Sequence, residues 1–312
     1  MTLLLDYFAL LIVSGLMFIL RVLPLRASTF VARGMVSIIL LVMPRLKGVG
    51  RRNLELCFPE KGTKERDEIL RRSFWCLAKN LATFAKIPDL NREAAEKLID
   101  FSGGKGQLRK LKERTPELGI IQTTLHYGCF EMGVQLQALL AYNLSYIARG
   151  FGLERLDRWW NTRREMFSNT VITRDGGYRE LMKRISSGET VGLLIDQNVK
   201  SNHAVFVDFF GIPAATTKTV AIAALRTGAS IYFSVMAEIE KPEKNQLPYV
   251  LYSKEIYNPH QDPGSVEEKI LQITKELHEI SEEVIRKHPE QWFWIHRRFK
   301  TRPPGESESI YE

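Results

Sequence analysis

The chain has 312 residues, 45% of them hydrophobic, enough for one large domain or a domain with attachments. Three cysteines, Cys57, Cys76 and Cys129, lie far apart and in odd number, so they give no disulfide framework or metal-ligand spacing and suit a reducing compartment. The formal net charge of +8 is uneven: Arg21, Arg26, Arg33, Arg45, Lys47, Arg51 and Arg52 follow one another with no acid between them. A nucleic-acid patch is one reading of such a run, and the apolar neighbours favour a membrane surface.

Leu3 to Leu20 is almost wholly apolar, broken by Asp6 and by small residues such as Ser14 and Gly15. As a helix it spans about 27 Å, close to the hydrocarbon thickness of a bilayer. A cleaved signal peptide wants positive charge before its apolar run. Here the charge begins after it, at Arg21, which predicts an uncleaved anchor with the rest of the chain cytoplasmic. Phe30 to Met43 is short for a second span and reads as a helix in the headgroup region, or as a core helix. Lys64 to Ile87 reads as an amphipathic helix, followed by a helix near Arg92 to Leu98, a strand around Ile99 to Phe101 and another helix from Gln107 to Glu113.

Strands and helices then alternate. Leu118 to Leu125, Leu144 to Ala148, Val171 with Ile172, and Val191 to Ile195 read as strands; Met132 to Leu144, Arg155 to Phe167 and Tyr178 to Ile185 read as helices. That alternation predicts an α/β fold, a mostly parallel central sheet with helices on both faces. Beyond it come Ala204 to Phe210, a turn at Gly211, a helix over Lys218 to Arg226, a strand over Ser230 to Ala237, an edge strand over Tyr249 to Ile256 and a long helix over Val266 to Ile285. The tail through Trp292, Phe293, Trp294, His296, Arg297 and Arg298 fits either a headgroup-level contact or a packed segment.

Sites in such sheets collect at the carboxyl ends of strands. His126, Arg149, Arg174 and Asp196 all fall just after predicted strands. His126 and Glu131 are separated by a turn at Gly128, which lets them approach each other. A carboxylate beside a histidine makes a general base, fixing the tautomer and stabilising the imidazolium. The bland reading is a helix-capping histidine and a solvated glutamate. Cys129, three residues from His126, opens the further option of a thiolate nucleophile.

The chain as a whole resembles the lipid A biosynthesis (lauroyl/myristoyl) acyltransferases of the lysophospholipid acyltransferase superfamily. The resemblance runs through Asn53 to Glu60, His126 to Glu131, Gly192 to Asn198, Val205 to Gly211, Pro213 to Thr217, Pro289 to Gln291 and His296 to Lys300. It implies transfer of a fatty acyl chain from acyl carrier protein to a hydroxyl of a lipid A precursor or related glycolipid, in a ternary complex, without metal or cofactor and without nucleic acid. It makes His126 the general base and Glu131 its partner, with Arg149, Asp196 and Gln197 binding substrate, and Arg174 joins them from its place after a predicted strand. It also implies an inner-membrane protein, single-pass, with residues 1–21 as the anchor, 22–52 a basic segment on membrane lipid, 53–302 the acyltransferase domain on the cytoplasmic side and 303–312 a polar tail. Members often carry Asn and Trp where this chain has Cys129 and Phe130, and Asn-Pro where it has Leu153-Glu154. Those departures bear on acceptor and acyl length more than on the chemistry. Another lipid acceptor, a thioester or lipid hydrolase, and a catalytically dead membrane-binding protein are the rival readings.

Overall fold

A computed structural model describes residues 2–100, 117–173, 176–239, 242, 247–259, 265–306 and 310–311. The chain opens with four long helices: α1 (Thr2–Val22), α2 (Leu25–Val42), α3 (Pro44–Cys57) and α4 (Thr63–Ala85). Pro24 stands just before α2 and Pro44 opens α3, the positions where a missing N–H costs nothing. The end of α1 is closed from outside, because Lys86 Nζ donates to the carbonyls of Arg21 and Leu23 at 2.7 and 2.6 Å. Ser28, Ala32, Val36 and Leu40, four residues apart, are the buried stripe of α2, which packs on α4. Asp6, Met17 and Leu20 are buried on α1, while Leu4, Phe8, Leu11, Phe18, Phe30, Leu41 and Val42 are exposed. Both α1 and α2 are long and apolar enough to cross a membrane, with mean hydropathies of 2.4 and 1.6. The second apolar stretch is thus a longer helix than expected, starting at Leu25.

The main sheet has seven strands in the order β1 (Ile99–Asp100), β9 (Tyr249–Tyr257), β8 (Ser230–Glu238), β2 (Ile120–Thr124), β5 (Thr190–Leu194), β3 (Ser145–Ala148) and β4 (Thr170–Thr173). From β8 to β4 all neighbours are parallel. β9 runs antiparallel to β8, and β1 runs parallel to β9. β9 is therefore not the edge expected of it: the two residues of β1 cover its outer side. α5 (Arg92–Glu96) leads into β1; α6 (Phe130–Leu140), α7 (Glu154–Arg164), α8 (Gly177–Ser186) and α9 (Thr219–Thr227) lie between strands; α10 (Val266–Lys287) follows β9.

Alternation along β8 separates the two cores. Ile231, Phe233, Val235 and Ala237 join the cluster that holds Val220 and Ala224 of α9 and Leu277 of α10. Met236 packs instead with Met132, Leu136 and Leu140 of α6. Side chains on opposite faces of one strand are what a period of two delivers, so helices cover both faces, as expected. β6 (Ala204–Phe209) and β7 (Ile212–Thr217) form a separate antiparallel hairpin. β7 is a strand not expected between the turn at Gly211 and the helix that follows, because Pro213 and two alanines carry little strand signal.

The aromatic tail is packed, not at a surface. Trp292, Trp294, Arg298 and Phe299 are each no more than 3% exposed. The segment around Gln107 to Glu113, expected to be helical, lies outside the described residues.

Candidate active site

Parallel register makes the first contact. Thr124 closes β2 opposite Leu194 of β5, so His126 and Asp196, each two residues further, leave neighbouring strands side by side. Asp196 Oδ1 accepts from His126 Nδ1 at 2.8 Å, and Oδ2 accepts from the His126 backbone N–H at 2.9 Å. The indole Nε1 of Trp292 donates to Oδ2 at 2.8 Å. With Nδ1 committed as donor, Nε2 carries the free lone pair. That edge faces Gln197, whose Nε2 stands 3.3 Å away. Phe130 and Phe293 flank the ring, with centroids at 5.1 and 5.9 Å.

The charges follow from burial and pairing. Burial pulls the His126 imidazole down, and attraction to the Asp196 carboxylate more than offsets it, so its pKa is raised above the ordinary histidine value. Burial pushes Asp196 up, but the His126 charge and the N–H donors around it bring the carboxyl down to about 2. The imidazole is polarised, with Nδ1 held by Asp196 and Nε2 turned toward the Gln197 amide.

Glu131 is not on the ring. It lies in the first turn of α6 and takes a two-pronged ion pair from Arg164, Nη2 to Oε1 at 2.5 Å and Nε to Oε2 at 3.2 Å. The expectation that Glu131 orients His126 is corrected accordingly: the residue on the adjacent strand wins over the residue on the following helix. Glu131 still acts on His126 through its charge, which favours the protonated ring. The bend at Gly128 is real, with φ at +56°. A β-carbon there would meet the Met236 carbonyl at 2.7 Å, so position 128 has neither the room nor the dihedral for another residue.

A strap holds the His126 loop. Gly128 N donates to the Gln291 carbonyl at 2.8 Å, Phe293 N donates to the His126 carbonyl at 3.1 Å, and Tyr127 bridges Trp292. The loop after Asp196 is held from the same side. Asn198 N donates to His296 Nε2 at 2.9 Å, and Asn198 exchanges two bonds with Thr301. Asn53 Nδ2 donates to the Trp294 and His296 carbonyls at 2.6 and 2.7 Å. Arg298 is buried beneath, donating to Ala215 O and to Thr216 Oγ1. The motif blocks at 53, 196–198 and 291–301 thus meet around one loop pair.

Arg149 sits one residue past β3, exposed, without an ion pair to a described residue. Arg174 lies outside the described residues. Arg164 and Trp292 were not singled out as site residues in the sequence. In the chain Arg164 shows only as a basic residue near a helix end, and Trp292 as one aromatic among several in the tail.

Cys129 is fully buried, and burial pushes its thiol up to about 11. A protonated, enclosed sulfur is a poor nucleophile. Cys129→Ala is expected to keep at least half of the activity, and mass spectrometry of protein given acyl donor alone is expected to show no adduct. An adduct on Cys129 with an inactive alanine variant would make the thiol the acceptor.

A histidine polarised by a buried carboxylate at the carboxyl edge of a parallel sheet is an arrangement able to take a proton from a hydroxyl or water. Residues 1–301 match the bacterial lipid A biosynthesis acyltransferases, and the chain belongs to that family. The chain is 27% identical over 272 residues to the lipid A biosynthesis palmitoleoyltransferase of Escherichia coli K12, covering 86% of this chain and 83% of that protein. It is 26% identical over 281 residues to the lipid A biosynthesis lauroyltransferase of the same organism, covering 87% and 85%. To that organism's lipid A biosynthesis myristoyltransferase it is 25% identical over 256 residues, covering 81% and 75%.

Proposed function

We propose that this enzyme transfers a fatty acyl chain from acyl carrier protein to a hydroxyl of a lipid A precursor at the cytoplasmic face of the inner membrane. The observation that carries the reading is His126, with Nδ1 on Asp196 and Nε2 accepting from the Gln197 amide, a contact the acceptor hydroxyl replaces. The acceptor hydroxyl gives its proton to Nε2 as its oxygen attacks the thioester carbonyl. The tetrahedral oxyanion collapses, the carbon–sulfur bond breaks, and the imidazolium returns the proton to the departing thiolate. Asp196 keeps the tautomer and stabilises the imidazolium between those two steps. Glu131 contributes charge at one remove, held by Arg164. Gln197 steadies the acceptor oxygen near Nε2, while Arg149, one residue past β3, meets phosphate or the developing oxyanion, and Arg174 is assigned the same task from its place in the sequence alone. The basic residues from Arg21 to Arg52 favour both anionic lipid and an acidic carrier protein.

Attachment to the membrane is assigned to the exposed apolar faces of α1 and α2, whichever depth they reach. A single span formed by α1 requires its side next to the charged helix α7 to stay outside the hydrocarbon, because Glu154, Arg155, Asp157 and Arg158 are costly there. Attachment through the exposed faces carries no such cost and is preferred.

Offering purified enzyme a labelled acyl carrier protein with a panel of lipid acceptors tests the reading. Label is expected in the lipid A precursor and not in phospholipids. Release of free fatty acid at the same rate without any lipid would make the enzyme a hydrolase.

A further inference from the structure

The N-terminal helix carries one acid, Asp6, and it is only 5% exposed. Its carboxylate accepts from the backbone N–H of Arg155 at 2.9 Å and of Leu156 at 3.2 Å. Those are the second and third residues of α7, whose free N–H groups an N-cap side chain ordinarily takes. The residue in the cap position, Leu153, has the extended dihedrals of a cap (φ −122°, ψ 104°) and no side-chain acceptor to offer. Asp6 supplies what Leu153 lacks, from another helix. Arg155 reinforces the joint, with Nη1 3.6 Å from Asp6 and its guanidinium 4.3 Å over the Tyr7 ring. The opposite end of α7 is Arg164, which grips Glu131 while its carbonyl accepts from Gln135 Nε2 at 2.9 Å. An eleven-residue helix is a rod of about 16 Å, fixed to α1 at one end and to the site at the other.

We propose that Asp6 is a positioning residue for acyl transfer: by capping α7 it sets where Arg164 holds Glu131, and α1 is part of the catalytic unit as well as an attachment to lipid. The proposal rests on the function proposed above, in which the Glu131 charge acts on His126. On this reading the segment expected as an anchor, residues 1–21, also serves the acyltransferase domain.

A cap can be moved, which gives the test. In full-length enzyme, Asp6→Ala is expected to lower kcat about tenfold, leave KM and binding to anionic vesicles unchanged, and weaken hydrogen-exchange protection of the Arg155 and Leu156 amides. Leu153→Asp, placed in the same Asp6→Ala chain, is expected to restore that protection and most of kcat. Asp6→Asn keeps an accepting oxygen and is expected to stay within about threefold of wild type. Unchanged kcat in Asp6→Ala overturns the proposal, and so does a loss that tracks vesicle binding and is not recovered by Leu153→Asp. Should Asp6→Ala alone fail to fold, the double variant and Asp6→Asn decide by the same readouts. If wild-type enzyme acylates none of the acceptors, the functional reading fails instead, and the exchange data on α7 still report whether Asp6 caps it.

Discussion

Alanine at position 126 is expected to lower kcat by about 10²- to 10⁴-fold, the usual worth of a positioned general base. KM for the acyl carrier protein should change little, because the ring is flanked by Phe130 and Phe293 and touches the reaction through Nε2 alone. The variant should also carry a pH signature in stability. The His126 pKa is raised in the folded chain, so the charged pair with Asp196 stabilises the fold fully below the ordinary histidine value of 6.5 and ceases to do so as pH rises through the raised value. His126→Ala should therefore lose more stability at pH 5 than at pH 9. An equal loss at both would mean that the ring contributes packing and little charge.

Asp196→Asn is expected to be nearly as damaging as His126→Ala, with a loss of about 10²-fold or more in kcat. Three N–H groups converge on this carboxylate, from His126 Nδ1, the His126 backbone and Trp292 Nε1. An amide offers one oxygen and turns its NH₂ against a donor, so it leaves a buried N–H unpaired or shifts the imidazole to its other tautomer. Glu131→Gln should be milder than either. Its oxygen still accepts from Arg164, the ring keeps its Asp196 bond, and only a charge acting across space is lost. Activity assays of the three variants side by side check the ranking. Glu131→Gln as damaging as Asp196→Asn would return Glu131 to a direct part in proton transfer.

Much of this site was legible in the chain because strands announce where they end. Apolar runs closing at Leu125 and Ile195 put His126 and Asp196 at one edge, and Gly128 marked the turn that follows. What spacing does not reveal is strand order. His126 and Asp196 are seventy residues apart and meet because β2 and β5 are neighbours in parallel register. Glu131, five residues away, looks nearer in the chain, yet the helix that carries it points the carboxylate at Arg164. The same blindness hid Asp6. In a one-dimensional reading it is a blemish in an apolar anchor, and only the packing of α1 along α7 turns it into a cap. The tail was ambiguous for a related reason. Tryptophans followed closely by arginines suit a lipid surface or a core, and the buried donors Trp292 and Arg298 found carboxylate, carbonyl and hydroxyl partners inside the protein.

The pH dependence of kcat/KM for acyl transfer tests the His126–Asp196 base most directly. A neutral imidazole is required, so the rate should climb with pH through a single ionisation above 6.5, the ordinary histidine value that Asp196 raises. In Asp196→Asn the residual activity should climb at lower pH, because the charge holding the proton on the ring is gone. A rise centred in the carboxylate range, or one that stays in place when Asp196 is replaced, would contradict the account.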